Sequence, residues 1–86
     1  MNAILEISMY PLKDNYIPAI DDFIAELNIP EGFAVQTTAT CTIVQGDYTR
    51  LMALLTSAIE VSHERYGKSV FTVKIIPDYE PDSLVL

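Results

Sequence analysis

The sequence predicts an α+β domain in which four strands form one antiparallel sheet and two helices cover one face of it. Apolar and polar residues alternate near both ends, apolar residues recur at helical spacing in two segments, and a charge-free stretch rich in Thr, Val and Ile lies between them. A chain of 86 residues forms one domain of this kind. We assign residues 1–78 to the domain and residues 79–86 to a C-terminal tail.

The first predicted strand, residues 3–10, has one apolar face and one polar face. The polar face carries the carboxylate of Glu6, the hydroxyl of Ser8 and the phenol of Tyr10. Pro11 ends the strand because proline has no N–H to donate to a neighbouring strand. A polar face of this kind contacts water, another subunit or a polar ligand.

The first predicted helix follows directly, with Asp14 or Asn15 as its cap. Pro18 falls in the first turn, where a missing N–H is harmless. Apolar residues at helical spacing form the buried face: Ile17, Ile20, Phe23, Ile24 and Leu27. The helix ends near Asn28, ahead of a proline.

Residues 33–46 have the composition of strands but exceed the length of a typical strand. We therefore predict two strands that are separated by a turn around Thr38 to Thr40. Cys41 is then a small core residue within a strand. As the single cysteine of the chain it has no internal disulfide partner, which indicates a reducing compartment.

The second helix is predicted to begin at an Asp47 cap and to end at Gly67, and the last strand covers residues 69–76. The resulting order, βαββαβ with both helices on one face, is the ferredoxin-like sandwich. The other face of the sheet is uncovered in this fold unless a second sheet stacks on it. Together with a hydrophobic fraction of 50%, this favours a homo-oligomer, a dimer or a tetramer.

Charge and composition exclude several classes of function. The net charge is −7, and five Lys or Arg against twelve Asp or Glu form no basic patch for nucleic acid. No apolar run approaches the ~20 residues that span a bilayer, so we expect no membrane partner. The sequence shows no secretory signal pattern, and we expect a cytoplasmic location.

The sequence contains no constellation that predicts an enzyme, a cofactor or a metal site. His63 is the single histidine and is predicted to lie on the surface of the second helix. What remains is a set of hydroxyl side chains, which donate and accept hydrogen bonds and can therefore bind the ring nitrogens and amino group of a heterocycle. The set comprises Ser8, Tyr10, Tyr16, Thr37, Thr38, Thr40 and Thr42. The tyrosine rings can stack on an aromatic ligand.

Three segments resemble a known family. Residues 8–12, Ser-Met-Tyr-Pro-Leu, with Asp14 and Tyr16, are similar to the opening motif of the YkoF-like thiamine/hydroxymethylpyrimidine-binding family. Residues 42–47, Thr-Ile-Val-Gln-Gly-Asp, resemble the element before its second helix, and residues 67–76 resemble its last strand. The similarity spans residues 3–77 in the expected order.

The resemblance implies a non-catalytic ferredoxin-like protein that binds thiamine or its pyrimidine half. Single-domain members of the family assemble through stacked sheets. The resemblance places Ser8, Tyr10, Thr37 and Thr42 at ligand-binding positions. Our predicted site adds hydroxyl and acidic residues nearby: Tyr16, Thr38, Asp14 and Glu6, the last facing the positive thiazolium ring.

Two other functions remain open from the sequence. One is a structural or regulatory subunit that uses the uncovered sheet face for assembly alone. The other is a small α+β enzyme, such as a cofactor-free oxygenase, in which His63 and the tyrosines would carry the chemistry.

Overall fold

The fold has six elements in the predicted order, in a computed structural model that describes residues 1–78. The elements are β1 (Asn2–Pro11), α1 (Ile17–Asn28), β2 (Ala34–Thr37), β3 (Thr42–Asp47), α2 (Tyr48–Tyr66) and β4 (Ser69–Pro77). The strands form one antiparallel sheet in the order β2-β3-β1-β4, with the helices packed on one face. This confirms the predicted ferredoxin-like α+β sandwich. The predicted tail, residues 79–86, lies outside the described residues.

Strand register determines which side chains face the helices. In β1, Leu5 lies opposite Val44 of β3 and Ile75 of β4, so these residues share the helix-covered face. The alternate residues form the other surface, which we call the open face. The open face consists of Ile4, Glu6, Ser8, Tyr10, Ala34, Gln36, Ile43, Gln45, Val70, Thr72, Lys74 and Ile76.

The core lies between the sheet and the two helices. Its largest fully buried side chains are Leu5, Leu27, Val44 and Leu51, contributed by four different elements. The helices are also joined at their surface, where Arg65 of α2 donates hydrogen bonds to carboxylates of α1: Asp22 at 2.8 Å and Glu26 at 3.2 Å. The hydrogen bond that Arg65 donates to Asp22, together with the negative charge of Asp22, raises the pKa of the Arg65 guanidinium.

Four of the five predicted features of the helix termini are confirmed, including the end of α1 at Asn28. Pro18 lies in the first turn of α1, Asp47 caps α2 by accepting a hydrogen bond from the Arg50 N–H at 3.2 Å, and Gly67 ends α2 with a positive φ of 80°. The predicted cap of α1 is wrong. Asp14 and Asn15 lie in the loop before the helix, and the N-cap residue is Tyr16. The Tyr16 side chain makes no capping hydrogen bond.

The chain between β2 and β3 turns at residues 38–41, where a turn was predicted. Cys41 lies in this turn and is half-buried, so its assignment to a strand core is wrong. Within the described residues, neither helix is long and apolar enough to cross a membrane.

Candidate functional site

A cavity of about 120 Å³ opens at one end of the sandwich, between the middle of α1 and the β2–β3 turn. Antiparallel pairing brings these parts together: Ile7 lies opposite Thr42, and Thr42 lies opposite Thr37, so the turn sits beside the last third of β1. Five of the residues that line the cavity carry hydroxyl groups: Ser8, Thr37, Thr38, Thr40 and Thr42. Five others are apolar residues of β1 and α1: Ile7, Met9, Ile20, Phe23 and Ile24.

Thr38 organises the turn. Its hydroxyl donates to the carbonyl of Cys41 at 3.1 Å and accepts from the N–H groups of Cys41 at 3.2 Å and Thr40 at 3.3 Å. A hydroxyl has one donor and two acceptor positions, so these contacts use all of them. Thr38 therefore fixes the shape of the cavity wall and has no hydrogen-bonding capacity left for a ligand.

Ser8 ties β1 to the turn and keeps part of its capacity. Its hydroxyl donates to the carbonyl of Thr40 at 3.0 Å. That bond uses the single proton of the hydroxyl and leaves its lone pairs free. Ser8 can therefore accept a hydrogen bond from a ligand while the turn stays in place.

Thr42 is the most buried polar residue of the cavity. Its side chain is on the helix-covered face, since it lies opposite Ile7, and the residue is only 5% exposed. Thr42 lines the cavity, and its hydroxyl is not among the buried side-chain atoms without a hydrogen-bonding partner, which within residues 1–78 are Ser62 Oγ and Ser69 Oγ. A hydroxyl donates one hydrogen bond and accepts two, so Thr42 can bind a ligand at the cavity wall.

The structure brings together Ser8, Thr37, Thr38 and Thr42 of the predicted site and leaves the other predicted residues outside the cavity. Tyr10 is on the open face and 55% exposed, and Tyr16 at the start of α1 is 50% exposed. Asp14 is exposed in the loop before α1. Glu6 is on the open face, where its carboxylate lies 3.7 Å from the Lys74 ammonium.

The sequence analysis did not predict that apolar residues of α1 and the Cys41 residue line the cavity. Phe23 supplies the aromatic ring of the cavity, and its ring centroid lies 5.0 Å from that of Phe71. Helical spacing had placed Ile20, Phe23 and Ile24 on the buried face, but that pattern cannot tell core from cavity wall. Cys41 lines the cavity because it lies in the turn.

The cavity wall carries no carboxylate, ammonium, guanidinium or imidazole. His63 is exposed on α2, away from it, and residues 1–78 hold no group of three or more His, Cys, Asp or Glu arranged to bind a metal. Neutral hydroxyls opposite apolar side chains suit a small heterocycle that stacks or packs on one side and forms hydrogen bonds on the other.

Two larger concave surfaces lie along α2, but both are more open than the cavity. One, of about 500 Å³, follows the outer side of the helix around Met52, Thr56 and Val61. The other, of about 350 Å³, lies between His63 and Phe71. Neither combines converging hydroxyls with an enclosed apolar wall, so we assign the candidate site to the smaller cavity.

Solved structures share this architecture. Protein SP2199 from Streptococcus pneumoniae is 29% identical to this chain with a TM-score of 0.85, over 98% of this chain and 93% of that chain. A hypothetical protein from Methanocaldococcus jannascii is 22% identical with a TM-score of 0.77, over 92% and 84% of the two chains. A candidate thiamine biosynthesis/salvage protein from Thermotoga maritima is 15% identical with a TM-score of 0.81, over 100% and 91%.

Comparison with known sequences gives the family. No curated protein matches the chain. A family model described as thiamine-binding protein matches residues 5–83, which includes both helices, strands β2 to β4, most of β1 and every residue of the cavity wall. Since this match covers most of the sequence, the chain belongs to the thiamine-binding protein family.

Proposed function

We propose that this protein binds thiamine, or its hydroxymethylpyrimidine half, in the cavity beside the β2–β3 turn. The observation that carries the proposal is the convergence of Ser8, Thr37 and Thr42 with the Phe23 ring on one cavity, in a member of the thiamine-binding family. The protein acts as a cytoplasmic carrier or buffer in thiamine salvage or uptake. The unpaired Cys41 fits a reducing compartment, and the description of the Thermotoga maritima neighbour supports a salvage role.

The size of the cavity supports the pyrimidine as the buried half. At about 120 Å³ it is smaller than the ~300–1,000 Å³ typical of sites that enclose a whole drug-sized ligand. One ring enters, and the charged thiazolium ring stays outside, where water solvates it. An amino group on the pyrimidine donates to the free lone pairs of Ser8, and the Thr42 hydroxyl donates to a ring nitrogen.

We propose binding without catalysis. General acid–base chemistry needs a titratable group within hydrogen-bonding reach of the substrate. Apart from the Cys41 thiol, the cavity wall is built from hydroxyl and apolar side chains. Such a wall orients a ring but supplies no acid–base pair.

Calorimetric titration with three compounds tests the proposal: thiamine, hydroxymethylpyrimidine and the hydroxyethylthiazole half alone. We expect heat and thermal stabilisation from the first two and none from the third, because the thiazole has no place in the cavity. A ligand at 100 times its dissociation constant stabilises the fold by ~2.7 kcal/mol. Absence of heat and of stabilisation at millimolar thiamine and hydroxymethylpyrimidine would refute the proposed function.

We further propose that the protein is a homo-oligomer, a dimer or a tetramer, assembled through the open face. Apolar side chains of this face remain accessible in one chain, with Val70 48% and Ile76 42% exposed. Stacking a second sheet on them removes apolar surface from water. The same surface favours a second candidate function, a structural or regulatory subunit, which predicts the oligomer but no effect of thiamine.

Val70→Lys places a charge on the open face, on β4 opposite the uncharged Tyr10 of β1. We expect light scattering to show an oligomer for the unchanged protein and a monomer for this variant, since a buried unpaired charge is strongly unfavourable. Ile17→Lys is the matched control, because Ile17 is 58% exposed on α1. An unchanged protein that is monomeric at micromolar concentration contradicts assembly through the open face.

A further inference from the structure

A groove of about 350 Å³ lies between the second half of α2 and the start of β4. Among the described residues, none lines both this groove and the proposed thiamine cavity. Its volume is within the ~300–1,000 Å³ of sites that take a small molecule. Six residues that line it matter for its chemistry: Ile59, Glu60, His63 and Glu64 of α2, and Ser69 and Phe71 of β4.

The hydroxyl of Ser69 lacks a partner in this groove. Ser69 lies opposite Pro11 of β1 and two residues before Phe71, so its side chain is on the helix-covered face, where the groove is. The hydroxyl oxygen is buried and has no hydrogen-bonding partner within residues 1–78. A buried hydroxyl without a partner is unfavourable, so Ser69 indicates that a polar group of a ligand belongs here.

Glu60 and Glu64 place two negative charges on the α2 wall of the groove. They are four residues apart and therefore lie side by side on the helix surface. In the part of the chain that the structure describes, neither carboxylate forms an ion pair. Like charges at this spacing repel each other, and a cation between them removes that repulsion. Glu64 is also in the last turn of α2, where the helix dipole favours a positive charge.

We propose that this groove is a second ligand site, which binds a small primary amine on an apolar stem. An ammonium group has three N–H donors and no acceptor, and the groove offers two carboxylates and the Ser69 oxygen as acceptors. Ile59 and Phe71 are half-buried and supply the apolar surface for the stem. An anion finds no partner, since no lysine or arginine of residues 1–78 lines the groove. The site goes beyond the proposed function, because it uses a different part of the molecule.

Titration of the full chain with 2-phenylethylamine, followed by two-dimensional NMR, tests the proposal. We expect the backbone resonances of His63, Ser69 and Phe71 to move and to saturate at millimolar amine. The alcohol 2-phenylethanol has a hydroxyl in place of the ammonium group. It binds at least about tenfold more weakly, because it forms no charge-assisted hydrogen bonds with the carboxylates. Phenylacetate, with the opposite charge, does not bind.

Variants of the groove assign the contacts. Glu60→Gln combined with Glu64→Gln weakens binding of 2-phenylethylamine at least about tenfold. Asp21→Asn combined with Glu31→Gln is the matched control, since it changes the net charge equally at exposed residues outside the groove. It changes the affinity less than about twofold, because distant surface charges are screened by salt. Ser69→Ala weakens binding about two- to tenfold and does not lower the melting temperature, since the hydroxyl it removes has no partner.

Four results would overturn the inference. Resonances of α2 and β4 that stay in place at millimolar 2-phenylethylamine show that the groove holds no such ligand. Equal affinity for 2-phenylethanol shows that apolar contact alone holds the ring. An equal loss in the groove variant and in its control shows that net charge, rather than these two carboxylates, attracts the amine. A Ser69→Ala variant with unchanged affinity removes the hydroxyl from the site. Failure of thiamine to bind refutes the proposed function and leaves this inference standing, because the cavity residues lie outside the groove.

Discussion

Leu5→Ala lowers the free energy of unfolding by ~2–5 kcal/mol, whereas Leu12→Ala changes it by no more than ~0.5 kcal/mol. The two substitutions remove the same atoms from nearly the same stretch of chain. Leu5 is 1% exposed in the core between sheet and helices, and its removal leaves a cavity. Leu12 is 59% exposed just beyond β1, where water already contacts the side chain.

Chemical denaturation at one fixed protein concentration measures this difference, since association through the open face would make apparent stability depend on concentration. In a domain of this size each kcal/mol lowers the melting temperature by about 4–8 °C. An equal decrease in the free energy of unfolding for the two variants would mean that the faces of β1 are assigned the wrong way round, with its even-numbered residues toward the helices.

The elements of the fold could be predicted because each of them has a local signal. Alternation in residues 3–10 and 69–76 determined which residues of β1 and β4 face the helices. Asp47 and Gly67 marked the ends of α2 through the chemistry of helix caps. These signals depend on neighbours within a few positions, so a single sequence carries them in full.

The cavity could be predicted only in part, because it depends on how the β2–β3 turn lies against β1. The turn contains no glycine or proline to fix its type, so the register of Thr37 and Thr42 could not be read from the sequence. Side chains alternate with a period of two, and a shift of one residue would have moved Thr42 to the open face. The dependence of the turn on Thr38 is likewise visible only once Cys41 is folded back beside it.

The sequence-based hypothesis placed Tyr10 and Glu6 in the site because they share a strand face with Ser8. In the structure Ser8 lines the cavity, whereas Tyr10 and Glu6 do not. Ser8 reaches the cavity from the edge of the turn, where its hydroxyl bonds the Thr40 carbonyl. Glu6 lies two residues back along β1 beside Lys74. A shared face of a strand therefore gives side chains the same direction, but it does not bring them to the same cavity.

Thr42→Val weakens thiamine binding by roughly 5- to 150-fold, because a ligand atom that pairs with this hydroxyl is left buried and unpaired at a cost of ~1–3 kcal/mol. Thr42 is 5% exposed, so little water can replace the lost partner once a ligand fills the cavity. Without ligand the same variant keeps the fold, since the methyl group that replaces the hydroxyl has nearly the same size and lies at the cavity wall. Calorimetric titration and denaturation of one preparation measure both effects.

Two further variants separate the cavity from the open face. Ser8→Ala weakens binding less, by about two- to tenfold or ~0.5–1.5 kcal/mol, because Ser8 is only half-buried and water can pair with the ligand in its place. Thr72→Val makes the same chemical change as Thr42→Val, but on β4, opposite Ser8 and exposed on the open face. It leaves the affinity unchanged if the ligand lies in the cavity. A loss for Thr72→Val that equals the loss for Thr42→Val would instead place the ligand on the open face, where a second subunit would have to complete the site.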